Sequence, residues 1–537
     1  MKFFEFLKNE YNKPLTKLLL LTALSGLSSA GVLAVINVAA NNVSKNSVNI
    51  SYLLMFIAIV GIFITSQKYI LTTGITIIEE IIHNIRLRLS DKIRRTDLLN
   101  IEKIGKAEIY NRLTQECNLI SQMAAYVITA IQSGIMLIFV FGYVAYLSMM
   151  AAILLTGILI IGVIIFTRND KKIREELEAT NKAEVSFFVS LTDIIDGLKE
   201  IKLNRKKGND LFTRFESILV NLKKLKIDTG FMFSENMVFS QAFIYIVLGA
   251  IVFVMPAINP EISNKIVATT TAMLFAVGPL TALVSMFPIF DKINIAVKNI
   301  YDMERQLDDQ LNPDEVQPIN GENRFDNFSR IDLSGLYFEY AGEKNEIFSI
   351  GPIDLTINRG EVIFIIGGNG CGKTTFLKTL TTLYRPKTGS IFVDDKLIDN
   401  SNYLEYRELY SAIFYDFHLF DKLYGLEKTD PKKIDDLLKL MQIRDKTEFR
   451  NNGFTKLELS TGQRKRLALI VTFLEDKPIY IFDEWAADQD PQFKKYFYDE
   501  LLSKLKAEGK TVLAVSHDDR YFHLADRVIK MEYGMIV

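Results

Sequence analysis

The chain has 537 residues, too many for one hydrophobic core, with a net charge of −1 and two cysteines, Cys117 and Cys371. A near-zero charge offers no electrostatic footprint for nucleic acid, and two cysteines cannot build a disulfide framework. The totals average two unlike halves: residues 1–300 hold long uncharged runs, whereas 301–537 is charged throughout.

In chain order, Met1-Lys2-Phe3-Phe4-Glu5 lacks the form of a cleaved signal peptide. Charge-free runs then follow between Lys17 and Lys45, Lys45 and Lys68, Glu116 and Arg168, Glu235 and Glu261, and Lys265 and Asp291. A membrane-crossing helix needs roughly 20 apolar residues. The third run is long enough for two helices joined near Leu147-Ser148-Met149. The reading is six spans, at about 15–40, 47–78, 118–147, 149–168, 231–257 and 265–290, within a membrane domain over 1–300. Buried core helices are the alternative, but a soluble protein rarely carries so many such runs.

Lys and Arg set the orientation. Lys2, Lys8, Lys13 and Lys17 precede the first span. The 68–116 connection carries Arg86, Arg88, Lys92, Arg94, Arg95, Lys103, Lys106 and Arg112, and the 168–230 connection carries Arg205-Lys206-Lys207 among others. The other side has little beyond Lys45 and Lys265. Both termini are therefore expected in the cytoplasm. The two inside connections have helical patterning and read as stalks. Residues 301–329, with Asp308, Asp309, Asn312, Pro313 and Asp314, read as a polar linker.

Residues 330–537 alternate strands and helices, as in an α/β core. Phe364-Ile365-Ile366 reads as a buried strand and Phe376-Leu377-Lys378 as a helix. Between them, Gly367-Gly368-Asn369-Gly370-Cys371-Gly372-Lys373-Thr374-Thr375 fits G-x-x-x-x-G-K-[ST], the phosphate-cradling loop. Gly367, Asn369, Gly370, Cys371, Gly372 and Thr375 would wrap backbone N–H groups around phosphate oxygens. Lys373 would reach the β and γ phosphates, and Thr374 would offer its hydroxyl to Mg²⁺. A glycine-rich turn that binds nothing is the bland reading. Ser460 and Gly462 open a helix, which is either an anion site or an ordinary N-cap. The strand Ile479-Tyr480-Ile481-Phe482 ends in Asp483, a Mg²⁺ ligand by position, and Glu484, placed to orient or deprotonate the attacking water. Asp488-Gln489-Asp490-Pro491 is a tight polar turn, and His517 lies just past another buried strand.

In this order the motifs resemble those of ATP-binding cassette exporters. The resemblance makes residues 367–374 the Walker A loop, 459–463 (with Gln463) the signature, Asp483 the Walker B carboxylate and Glu484 the catalytic base. It makes Asp490 the D-loop residue, His517 the switch histidine and Tyr340 the aromatic that stacks on adenine. The implied fold is a six-span α-helical membrane domain fused to a cytoplasmic α/β P-loop ATPase. The implied ligands are ATP and Mg²⁺. Tyr415-Asp416 stands where the family usually has Gln, and Thr461 where it usually has Gly. The interval from Tyr415 to Ser460 is short for the family, which implies a trimmed helical subdomain. Residues 483–491 and 196–204 are similar to the branch that exports cyclic peptides, siderophores and lasso peptides.

The resemblance implies a homodimer in the lipid bilayer, each ATP held between one chain's Walker A and the other's signature, with no nucleic-acid partner. Segments 105–108 and 181–184 are its candidate coupling contacts. Asn37, Gln132, Tyr143, Gln241 and Tyr245 are polar or aromatic within spans, and either line a cavity or hydrogen-bond between helices. No charge sits mid-span, so the expected cargo is amphipathic and largely uncharged; the resemblance implies that it is peptide-like. A lipid or lipid-linked flippase is the alternative within transport. An ATP-regulated sensor or channel that does not pump is the alternative outside it.

Overall fold

The computed structural model describes residues 2–11, 13, 14, 16–43, 50–254, 256, 266–309, 323–341 and 347–537. The chain divides into two compact units: Met1–Ser90 with Ala107–Arg305, and Asp91–Lys106 with Gln306–Val537.

The first unit is helical, because in lipid a backbone must satisfy its own polar groups. Its long helices are Thr16–Val43, Cys117–Leu147, Met149–Asp196, Arg205–Gly249 and most of Ile50–Arg95 and Ile266–Asp308. Among the described residues, four helical runs are long and apolar enough to cross a membrane: Thr16–Ala39, Ile50–Arg95, Glu108–Leu147 and Ile266–Asp308. The expected spans 149–168 and 231–257 fall in Met149–Asp196 and at the end of Arg205–Gly249, where residues 255 and 257–265 lie outside the described residues. Leu33, Val144, Val247, Ile251, Ala272 and Met273 form a buried cluster inside this unit.

Asn37, Tyr143 and Gln132 hydrogen-bond between helices. Asn37 Nδ2 donates to Tyr143 Oη and to the Ala268 carbonyl, both at 3.3 Å. Gln132 Nε2 donates to Ser25 Oγ (2.9 Å). Tyr245 is exposed, and the Gln241 side chain lies outside the described residues. The last helix continues to Asp308, eight residues into the stretch 301–329 read as linker. Leu307 and Met303 explain this: both are buried, so the helix still has an apolar face to cover there. Residues 310–322 lie outside the described residues.

The second unit has two large sheets and a two-stranded hairpin. Strands β1 (Arg330–Ala341), β2 (Ile347–Asn358), β4 (Thr388–Val393) and β5 (Lys396–Leu397) form an antiparallel sheet in the order β2-β1-β4-β5. Strands β3 (Val362–Ile366), β6 (Tyr410–Ile413), β9 (Ile479–Asp483), β10 (Thr511–Val515), β11 (Arg527–Glu532) and β12 (Met535–Ile536) form the other, in the order β12-β11-β3-β10-β9-β6. From β11 to β6 this sheet is parallel. Strands β9 and β10 are buried throughout, and β3 nearly so, which is why they read as continuous apolar runs. A parallel sheet delivers the loops after β3, β9 and β10 to one edge, where ligands bind in such folds. Between Tyr415 and Ser460 there is one helix, Pro431–Leu440, and a hairpin of β7 (Phe449–Arg450) and β8 (Gly453–Phe454).

The short helix Leu98–Ile104 belongs to this second unit. Leu98 and Leu99 pack against its core. Glu102 accepts from Lys378 Nζ (3.2 Å) and from the Tyr384 hydroxyl, and Asp97 pairs with Arg385 (3.1 Å). The docked segment therefore precedes the expected 105–108, because Gly105, at φ 84°, ends the helix. Residues 182–184 belong to the first unit, where Glu184 pairs with Lys226 (2.7 Å).

Candidate functional site

Strand β3 ends at Ile366, and the helix Lys373–Leu380 begins seven residues later. Gly367, Gly370 and Gly372 take φ of 149°, 76° and 103°. A Cβ on Gly367 would stand 2.3 Å from the Met531 carbonyl oxygen, so only glycine fits there. Asn369 and Gly370 are exposed at the loop's crest, Cys371 is buried beneath it, and Thr375 is half-buried. Lys373 Nζ donates to the carbonyls of Gly367 (2.9 Å) and Gly368 (3.0 Å), inside the loop. Tyr340 lies in β1 beside this loop, its ring 5.6 Å from that of Phe348. Phe348 in turn is 3.4 Å from where a Gly372 Cβ would be.

The hydroxyl of Thr374 donates to Asp483 Oδ2 at 2.8 Å. Burial raises the Asp483 carboxyl above its ordinary range, opposed by the Thr374 hydroxyl. A hydroxyl and a carboxylate converging at a phosphate loop suit a small hard cation that keeps phosphate and water ligands. Among the described residues no cluster of three or more His, Cys, Asp or Glu exists to cage a metal alone. The pair therefore fits Mg²⁺ arriving with a nucleotide.

Glu484 follows β9 in a left-handed backbone conformation (φ 52°, ψ 31°). Its Oε1 lies 3.1 Å from Nε2 of His517, which follows β10. The structure thus brings together Lys373, Thr374, Asp483, Glu484 and His517 at the ends of β3, β9 and β10.

The signature residues stand apart. Ser460 caps the helix Thr461–Glu475 in a capping box, with Ser460 Oγ accepting from Gln463 N–H and Gln463 Oε1 from Ser460 N–H. Gln489 Nε2 donates to the Gly462 carbonyl (3.1 Å). Arg466 pairs with Asp490 and stacks on the Phe493 ring at 3.7 Å. Asp490 caps the helix Pro491–Tyr496 by accepting from Phe493 N–H at 2.9 Å. Among the described residues no hydrogen bond joins 460–463 to the phosphate loop of the same chain.

Tyr415 does not present a side-chain ligand to this cluster: its ring is exposed, while its N–H donates to the Asp483 carboxylate. Asp416 faces Lys378 at 3.9 Å rather than Thr374. Sequence reasoning missed Lys465, Lys378 and Glu102. The available signal for Lys465 was a lysine at the head of an apolar helical run, Leu467-Ala468-Leu469-Ile470-Val471, where a charge needs a partner.

Residues 17–287 match the family described as the ABC transporter transmembrane region, and residues 350–487 match the family described as ABC transporter. The ATP-binding protein SyrD of Pseudomonas syringae pv. syringae is 32% identical over 537 residues, covering 96% of this chain and 93% of its own length. An ATP-dependent lipid A-core flippase of Paraburkholderia xenovorans (strain LB400) is 24% identical over 481 residues, covering 85% of this chain and 78% of its own. A solved bacterial Atm1-family ABC exporter with ATP bound shares the fold, with a TM-score of 0.77 over 98% of this chain and 95% of its own, at 15% identity. The chain belongs to the ATP-binding cassette transporter family: it is a half-transporter of the exporter fold, joining one multi-pass membrane region to one ATP-binding domain whose hydrolysis of ATP is coupled to transport.

Proposed function

We propose that this chain forms a homodimer that exports a peptide-like natural product, such as a cyclic peptide, lasso peptide or siderophore, across the bacterial inner membrane, with both termini in the cytoplasm. The observation that weighs against the flippase reading is the similarity to SyrD, which runs through the membrane half as well as the ATPase half and exceeds that to the flippases. The observation that carries the peptide-like cargo is the resemblance of residues 483–491 and 196–204 to peptide and siderophore exporters.

ATP is the substrate of the engine. Lys373 and the loop N–H groups bind its phosphates, and Tyr340 takes the adenine. Thr374 and Asp483 would hold Mg²⁺, which when bound neutralises phosphate charge. Glu484 accepts the proton of the attacking water, and His517, beside it, orients that carboxylate toward the γ-phosphate. Ser460, Gly462 and Gln463 share no hydrogen bond with their own chain's loop among the described residues, so they would serve the ATP held by a second copy, with Asp490 beside that contact. ATP binding then favours the closed pair, hydrolysis releases it, and the membrane helices follow.

Reconstitution in proteoliposomes tests the cargo. Cyclic peptide or peptide siderophore should raise ATP turnover several-fold and be carried in the direction away from the ATPase side. Stimulation and movement of lipid A-core instead would establish the flippase reading, which the 24% identical relatives favour. Turnover without vectorial movement of any cargo would reject a pump.

A further inference from the structure

Lys465 is 1% exposed, although it carries a full charge. Such burial is tolerated only when the ammonium is paired and hydrogen-bonded. Here Nζ donates to the backbone carbonyl of Glu484 (2.8 Å) and to the Asp488 carboxylate (2.7 Å). The Lys465 carbonyl in turn accepts from Trp485 Nε1 (2.8 Å). Trp485 is itself buried, its ring tilted against that of Phe497 with centroids 4.4 Å apart. One residue thus grips the chain at Glu484 and again at Trp485 and Asp488.

The grip falls where the backbone needs it. Glu484 has φ 52°, a conformation that side chains other than glycine adopt at a cost. Turning the residue this way is what lets its carboxylate meet His517 at 3.1 Å. A charged donor fixed on its carbonyl holds that turn in place.

The same ammonium has a third neighbour. The Tyr415 ring centroid lies 5.8 Å from Nζ, within cation–π range. Tyr415 occupies the position where the family usually has a glutamine, and its N–H donates to Asp483. The next residue, Asp416, faces Lys378, whose ammonium also holds Glu102 on the docked helix Leu98–Ile104. Tyr415 and Asp416, consecutive in the chain, thus face the Lys465 and Lys378 ammoniums in turn.

We propose that Lys465 is the positioning residue for Glu484, and that the Tyr415 ring beside its ammonium supports that grip. The proposal rests on Glu484 being the base that activates water. Lys465 acts through the backbone of Glu484, on whose carbonyl its ammonium is fixed.

The experiment is steady-state ATP hydrolysis by the full-length protein in lipid nanodiscs. Lys465→Met should lower kcat about 100-fold while KM for ATP and affinity for a fluorescent ATP analogue stay within about threefold. Lys465→Gln, which can still donate to the carbonyl, should recover about tenfold of that loss. In a Glu484→Gln background Lys465→Met should cause no further slowing, because the group it positions is already gone. Tyr415→Ala should lower kcat several-fold alone and not at all on top of Lys465→Met. A Lys465→Met protein with kcat within twofold of wild type, alongside an inactive Glu484→Gln, overturns the proposal and leaves the base assignment standing. Wild-type hydrolysis by Glu484→Gln overturns both. If Lys465→Met does not fold, Asp488→Asn decides, since the Asp488 side chain is 42% exposed. A fall in kcat with KM kept supports the grip, and unchanged kcat refutes it.

Discussion

Nε2 of His517 and Oε1 of Glu484 stand 3.1 Å apart because two adjacent parallel strands end in register. Val515 of β10 pairs with Asp483 of β9, so the residues just beyond each strand emerge side by side. A base and its orienting partner are thereby set by sheet geometry rather than by loop conformation alone. Replacing Glu484 with Gln should cut phosphate release by about 10²–10⁴-fold while ATP stays bound, as read by nucleotide occlusion. Normal release would remove Glu484 from its role.

Lys373 is buried in the loop with its ammonium on the Gly367 and Gly368 carbonyls. Lys373→Ala removes the charge that meets the β and γ phosphates. Affinity for a fluorescent ATP analogue should fall at least about tenfold, the loss of one charge-assisted hydrogen bond. Unchanged affinity would count against the contact.

Gly462 lies against the turn after β9. A Cβ there would stand 2.7 Å from the Asp488 carbonyl oxygen, a backbone atom with little freedom to move. Gly462→Ala should therefore displace the signature helix and lower ATP turnover by about tenfold or more, with nucleotide affinity at the chain's own loop retained. Loss of that affinity would place Gly462 at its own chain's nucleotide instead.

Asp490 caps the helix Pro491–Tyr496, and the Phe493 N–H, followed by Arg466, holds its carboxyl below the ordinary value of 3.8. Asp490→Ala should cost about 1 kcal/mol of stability. Because the folded-state pKa is the lower one, the ionised cap contributes fully above the unfolded value. That contribution disappears as pH falls through the folded value. The difference between wild type and variant should thus be constant near neutrality and shrink below about pH 4. Trp485, the chain's one tryptophan, is 1% exposed and reports unfolding of this region directly.

Cys371 and Cys117 are free thiols, both buried. Cys371 Sγ lies 4.0 Å from Lys373 Nζ, within the phosphate loop. A small methanethiosulfonate should modify Cys371 slowly and abolish ATPase activity, and ATP should slow the reaction further. Full activity after confirmed modification of Cys371 would show that the loop tolerates the adduct.

What could be read from the chain were features in which local chemistry dictates local backbone. Gly367, Gly370 and Gly372 take positive φ because a phosphate loop demands it. The apolar runs ending at Ile366 and Asp483 are strands buried in a parallel sheet. The features that escaped depend on partners far away in sequence. Glu102 and Lys378 are 276 residues apart, and nothing near either announces the other. Lys465 looked like one more basic residue among Arg464 and Arg466 until its partners at Glu484 and Asp488 were in view. Asn37, Gln132 and Tyr143 allowed two readings, and three-dimensional neighbours were needed to choose hydrogen bonding. The polar composition after Asp302 concealed a helix whose buried face includes Met303 and Leu307.

The helix Leu98–Ile104 also bears on how the enzyme can be handled. A fragment cut at the apparent domain boundary would leave behind the cover of an apolar patch that Leu98 and Leu99 occupy. It would also strip Lys378 and Arg385 of the carboxylates of Glu102 and Asp97. Such an excised soluble piece would be sticky and mischarged on one face. Supplying residues 91–106 as a tethered or added peptide is the rational remedy for anyone who wants the motor without its lipid-embedded partner.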